Sequence, residues 1–158
     1  MTTREQLIDG LSLVIREGLR VTSSFAAEDW KKPVQGDEGW NRKQIYCHLA
    51  AAAEIAPGFL GGLAQASEGQ NVLGGIDVDA FNAQMVAAKE QLSTEDLMKT
   101  FTSAYEKLIE FTKSMPGEQI ELRRSFGAVE GTVADLMDSV LVLHGLAHIY
   151  SAGASATG

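Results

Sequence analysis

Three histidines, His48, His144 and His148, supply every imidazole of the 158-residue chain. Imidazole is the commonest ligand for divalent transition metals and the usual proton carrier near neutral pH. His144 and His148 are spaced i, i+4, so on a helix their rings leave one face a turn apart and can meet at one point. Alone, such a pair fits two rings hydrogen-bonded to neighbours as well as it fits a ligand pair. His48 changes the balance, because it falls on the apolar stripe of a different helix, where an unpaired imidazole is costly to bury. One divalent ion shared by all three accounts for them together. Neutral imidazoles suit zinc first and nickel next, with iron and manganese also compatible.

Other residues bear on the chemistry. Gly145 follows His144 where the H-E-x-x-H metalloprotease signature has its glutamate base, which argues against peptide hydrolysis. Asp37, Glu38, Glu54 and Asp138 are the carboxylates considered as a general base, and spacing singles out none. Cys47 adjoins His48, but successive helical side chains diverge by about 100°, so it reads as a small buried thiol and not as a fourth ligand. Trp40 fits the apolar position just outside a helix start, with substrate lining as the second reading. Arg123 and Arg124 have the forked geometry for a substrate carboxylate, although surface ion pairs are the more ordinary use.

Helices must position these groups. Apolar residues at helical spacing run from about Thr3 to Ala27, from Asn41 to Leu63, from Ser93 to Pro116 and from Thr132 to about Ser151. Asn41 with Gln44, Ser93 with Asp96 and Thr132 with Asp135 have capping-box spacing. Pro57 predicts a kink or break in the second segment. A glycine-punctuated connection leads into a shorter helical pattern, about Asp77 to Gln91, and Glu118 to Gly131 reads as turns without a convincing strand. The last stripe is read as Leu136, Met137, Val140, Leu143, His144, Ala147 and His148, while Phe59, Phe81, Phe101, Tyr105 and Phe111 are assigned to the core. The expectation is one all-α domain over 1–158, a four-helix bundle with an accessory helix in the middle connection.

A net charge of −8 without a basic stripe argues against nucleic acid as a partner. The single cysteine forms no internal disulfide, and neither a leader nor an apolar run of spanning length is read, so a cytoplasmic location without membrane contact is expected.

These residues resemble the DinB-like superfamily, which includes the bacillithiol-transferase and mycothiol-dependent maleylpyruvate isomerase families. The resemblance rests on Trp40-Asn41 opening a helix that carries His48-Leu49, on Asp79-Ala80-Phe81-Asn82, and on the closing His144-x-x-x-His148-Ile149. It implies a four-helix bundle whose metal triad corresponds to His48, His144 and His148. In the isomerase branch the middle ligand is a glutamate, so His144 favours the all-histidine branch. Three protein ligands leave a coordination position open, the catalytic arrangement for zinc. The implied activity is a metal-dependent transfer or addition of a low-molecular-weight thiol cosubstrate to a small electrophile. A metal-dependent hydrolase and a non-catalytic metal- or ligand-binding module are the alternatives, and a homodimer is expected by analogy.

Overall fold

A computed structural model describes residues 1–37 and 39–154. Four long helices form the bundle: α1 (Arg4–Thr22), α2 (Arg42–Gln65), α4 (Thr94–Ser114) and α6 (Val133–Ala154). A short α3 (Val78–Lys89) packs on α2, and the single turn α5 (Gly117–Ile120) precedes a hairpin of β1 (Arg123–Phe126) and β2 (Val129–Thr132).

The helix starts follow from local chemistry. Thr3 with Gln6, Asn41 with Gln44, and Thr132 with Asp135 form reciprocal capping boxes, each satisfying two otherwise orphaned N–H groups. Ser93 and Asp77 each accept a first-turn N–H, from Asp96 and Ala80. α1 ends at Thr22, earlier than the sequence pattern suggests, and a 3-10 turn over Asp29–Lys31 takes up the chain.

Among the long helices, α1 and α2 each pack against α4 and α6 and hardly against each other, so these two consecutive helices stand on a diagonal of the bundle and not side by side. Leu7, Leu11, Ile45, Leu49, Leu97, Phe101, Leu108 and Ile149 fill the centre and are fully or almost fully buried. On α1, Gly18 faces the core while Leu19 is 43 % exposed, because a Cβ at Gly18 would lie 2.6 Å from the Phe101 ring. Leu19, at helical spacing from Leu11 and Ile15, is thereby turned outward although it continues their apolar run.

Other expectations are also corrected. α2 is continuous through Pro57, which rules out the break but not the kink. Burial on both sides of the proline, by Leu49 and Ala53 before it and Leu60 and Leu63 after it, outweighs the roughly 3 kcal/mol a mid-helix proline costs. Glu118 to Gly131 contains an antiparallel hairpin, closed by Gly127 at φ 62°. Its strands have four residues each, too short for alternation to be read. α2 and α6 do reach spanning length, with mean hydropathy 1.2, although 44 % of each apolar window is buried inside the bundle. α2 also carries Arg42 fully buried, where it donates to the carbonyls of Ala152 and Asp29 and lies 4.9 Å from the Phe25 ring. Arg42 thereby ties the start of α2 to the end of α6, the two helices that bear the histidines.

α6 is not a uniform α-helix. Residues Asp138–Leu143 form a π-helical segment directly before His144. The wider turn shifts the phase of the helix, so Leu141 and Val142 are buried while Leu143 is 58 % exposed. The stripe read from a uniform 3.6-residue period therefore fails at Leu143. The buried Tyr105 hydroxyl donates a long hydrogen bond to the Leu141 carbonyl, and Gly145, lacking a side chain, leaves space for that hydroxyl.

Candidate metal centre

α2 contributes His48 and α6 contributes His144 and His148, and the three converge with one ring nitrogen from each within 4.8 Å of the others. The His48 ring centroid lies 5.8 Å from that of His144 and 5.3 Å from that of His148. Within α6 the two rings are 4.3 Å apart and their Nε2 atoms 2.9 Å apart. His48 is almost buried, His148 half-buried and His144 exposed.

Asp37 joins the cluster from the loop before α2. Its Oδ1 lies 3.0 Å from Nδ1 of His148, so Nδ1–H donates to the carboxylate and Nε2 turns its lone pair toward the other rings. His144 Nε2–H then donates to that lone pair; for Nε2 of His144 to act as a ligand, its hydrogen has to sit on Nδ1. The loop geometry is local: Val34 N–H donates to the Trp40 carbonyl and Trp40 N–H to that of Asp37, while Gly36 and Gly39 take φ of 89° and 81°. Both lie in the left-handed region that glycine enters without a Cβ penalty. The Trp40 ring sits 5.0 Å from the His48 ring and covers it, so Trp40 packs against the centre itself.

Burial, followed by the neighbouring His148 and His144, pushes the His48 pKa down to about 4. Burial and His148 also lower that of His144. Both rings thus keep their lone pairs available at neutral pH, resisting protons where they would accept a softer cation. Three nitrogen donors converging from two rigid helices, one held in its tautomer by a carboxylate, fit a divalent transition metal and, among the described residues, leave a side of the cluster without a protein donor.

That side opens on a cavity of about 260 Å³, bounded by His48 and His144 at one end and by apolar side chains of α2, α3, α6 and the hairpin. Phe59 and Phe81, assigned to the core from spacing, form part of this wall, whereas Phe101 and Tyr105 are core residues. Arg124 is turned away, donating to the Leu63 and Ala64 carbonyls at the end of α2, so it is neither a carboxylate clamp nor a surface ion pair. Arg123 is exposed on β1 and does not line the cavity.

Of the carboxylates considered as a base, Asp37 orients His148, and Glu54 pairs with Lys89 at 2.6 Å. Asp138 has its pKa raised by burial and by Asp135, and it does not border the cavity. Glu38 lies outside the described residues. Cys47 is fully buried and its thiol is pushed up to about 11 by burial, consistent with a packing role.

A helical bundle with three histidines converging from its second and last long helices defines a protein of the DinB-like superfamily. The chain belongs to the mycothiol maleylpyruvate isomerase N-terminal domain family, which matches residues 11–142. YfiT from Bacillus subtilis, described as a probable metal-dependent hydrolase with an unusual four-helix bundle topology, superposes with a TM-score of 0.70 at 12 % identity over 94 % of this chain and 82 % of its own. A histidine-to-alanine mutant of the mycothiol-dependent maleylpyruvate isomerase gives a TM-score of 0.68 at 13 % identity over 92 % of this chain. This chain spans 60 % of the isomerase. No curated protein matches the sequence.

Two expected outcomes arise here. Replacing Asp37 by alanine removes the acceptor that holds His148, and is expected to weaken zinc binding by roughly 10–100-fold; competition against a chromophoric chelator measures it, and unchanged affinity would deny Asp37 this role. The second concerns pH. The unfolded chain protonates His48 near 6.5 and the folded metal-free protein only near 4, so the unfolded state binds more protons between those values. Stability of the metal-free protein should therefore fall as pH drops through that window, by up to about 3 kcal/mol from this group. Urea titrations at several pH values, compared with His48→Gln, should show a shallower dependence in the variant; equal slopes would contradict the assignment.

Proposed function

We propose that His48, His144 and His148 hold one divalent metal ion, zinc foremost and nickel next, and that the protein is a metal-dependent enzyme transferring a low-molecular-weight thiol to a small electrophile. The observation that carries this reading is the convergence of three imidazoles at the end of an apolar cavity, with no fourth protein donor closing them off among the described residues. A divalent ion there would stabilise a thiolate over its thiol at neutral pH.

The chain's own residues supply the rest. Asp37 keeps the His148 lone pair directed inward, and Trp40 shields His48 from solvent. The cavity holds the electrophile beside the triad and excludes water that would compete for it. Among the described residues no carboxylate lines the cavity, which suits a nucleophile needing no separate general base. Membership in a family named for a mycothiol-dependent reaction supports a thiol cosubstrate. The shape likeness to YfiT keeps metal-dependent hydrolysis as the second reading.

Cobalt-substituted protein should develop a sulfur-to-metal charge-transfer band on addition of mycothiol, bacillithiol or glutathione. It should also accelerate conjugation of a test electrophile in a chelator-sensitive manner. Spectra unchanged by all three thiols, with conjugation insensitive to chelator, would remove the transferase reading and leave hydrolysis ahead of it.

A further inference from the structure

The lining of the cavity restricts what can occupy it. Ile55, Phe59, Phe81, Phe126, Met137 and Val140 are typical of its wall, and among the described residues the one polar side chain on it besides His48 and His144 is Asn82. Among the described residues, no lysine, arginine, aspartate or glutamate borders it. The nearest forked cation in sequence, Arg124, is engaged with the Leu63 and Ala64 carbonyls. An anionic group seated against this wall, away from the metal centre, would lose its hydration and find no compensating charge, a cost that excludes it unless it is paired. At the same time Ile76 and Val78, also on the lining, are 43 % and 41 % exposed, leaving apolar surface that a bound apolar molecule would cover.

Size narrows the class further. An apolar cavity of roughly 150 Å³ stays dry and takes up benzene. The present one, at about 260 Å³, has room for a substituted ring or a branched aliphatic chain of similar bulk.

We propose that this cavity selects an uncharged, apolar electrophile, a substituted aromatic or compact aliphatic compound, and discriminates against substrates that would place carboxylate, sulfonate or phosphate groups against its wall away from the metal centre. The proposal deepens the thiol-transfer reading by naming its substrate class, and it rests on that reading for the word substrate. The selectivity itself is a property of the cavity and can be read by binding alone.

The test uses fluorine NMR on the zinc-loaded protein with two probes of one ring size, neutral 4-fluorotoluene and anionic 4-fluorobenzenesulfonate. Sulfonate is a weak metal ligand, so the comparison reports on the wall and not on the ion. The neutral probe should bind at least 10-fold more tightly. Asn82→Arg, at a half-buried position where no core side chain is lost, should reverse or erase that preference by supplying the missing cation. Binding of the sulfonate as tight as that of the toluene, binding of neither, or a preference unmoved by Asn82→Arg would each overturn the proposal. The readout involves neither thiol nor turnover. Retained selectivity with an unchanged cobalt spectrum would therefore reject the transferase reading while leaving the cavity's selectivity standing.

Discussion

Single replacement of His48, His144 or His148 by alanine is expected to weaken zinc binding by more than about 100-fold, because loss of an orienting neighbour alone costs roughly 10–100-fold and here a donor atom itself is lost. The three variants should not be equal in stability. His48→Ala removes an almost buried ring packed on Trp40 and leaves a void at the cavity end, whereas His144 is exposed and its loss disturbs little packing. Metal affinity should thus fall in all three, while metal-free stability separates them. Titration of tag-free protein against a zinc indicator, paired with urea unfolding in chelator, reads both. A variant that retains parental affinity would strike its residue from the ligand set.

Removal of the ion from the parent protein should cost more stability than most single substitutions. The donors come from α2 and α6, and the unfolded chain brings them together only by chance, so binding favours the folded state almost exclusively. At free metal about 1,000-fold above the dissociation constant, the linkage amounts to about 4 kcal/mol. For a chain of 158 residues this corresponds to a drop in Tm of roughly 8–16 °C on chelation. The same treatment of the His48→Ala variant should change Tm by a small fraction of that. Equal melting of loaded and stripped parent protein would mean that no ion bridges the two helices.

Much of this architecture is legible because it is decided locally. The boxes Thr3–Gln6, Asn41–Gln44 and Thr132–Asp135 and the Ser93 cap act within one turn, so all four long helices begin where the residues say they should. The histidines were findable because each falls on or beside an apolar stripe, and two helices packing along those stripes bring the rings together. Where the account depended on a regular period or on distant contacts, the sequence was silent. No residue type announces a π-helical turn, so Leu143 was read inward although Leu141 and Val142 take that place. Asp37 could be named among the carboxylates, but its use depends on a glycine-bracketed loop folding back onto the end of α6. Arg124 carries the chemistry of an anion clamp, and only the tertiary structure reveals that two helix-end carbonyls engage it. Phe59 and Phe81 have core spacing, and what makes them cavity wall is the placement of α3 and the hairpin on α2.

The claim on which the rest depends is that one ion sits among His48, His144 and His148. Crystals of the zinc-loaded, tag-free protein measured on both sides of the zinc absorption edge test it most directly. The expected result is a single anomalous difference peak within about 2.0–2.1 Å of one nitrogen from each ring, with Asp37 still on Nδ1 of His148. A map with no peak there, or with zinc bound at another group of residues while His144 and His148 remain hydrogen-bonded to each other, would contradict it.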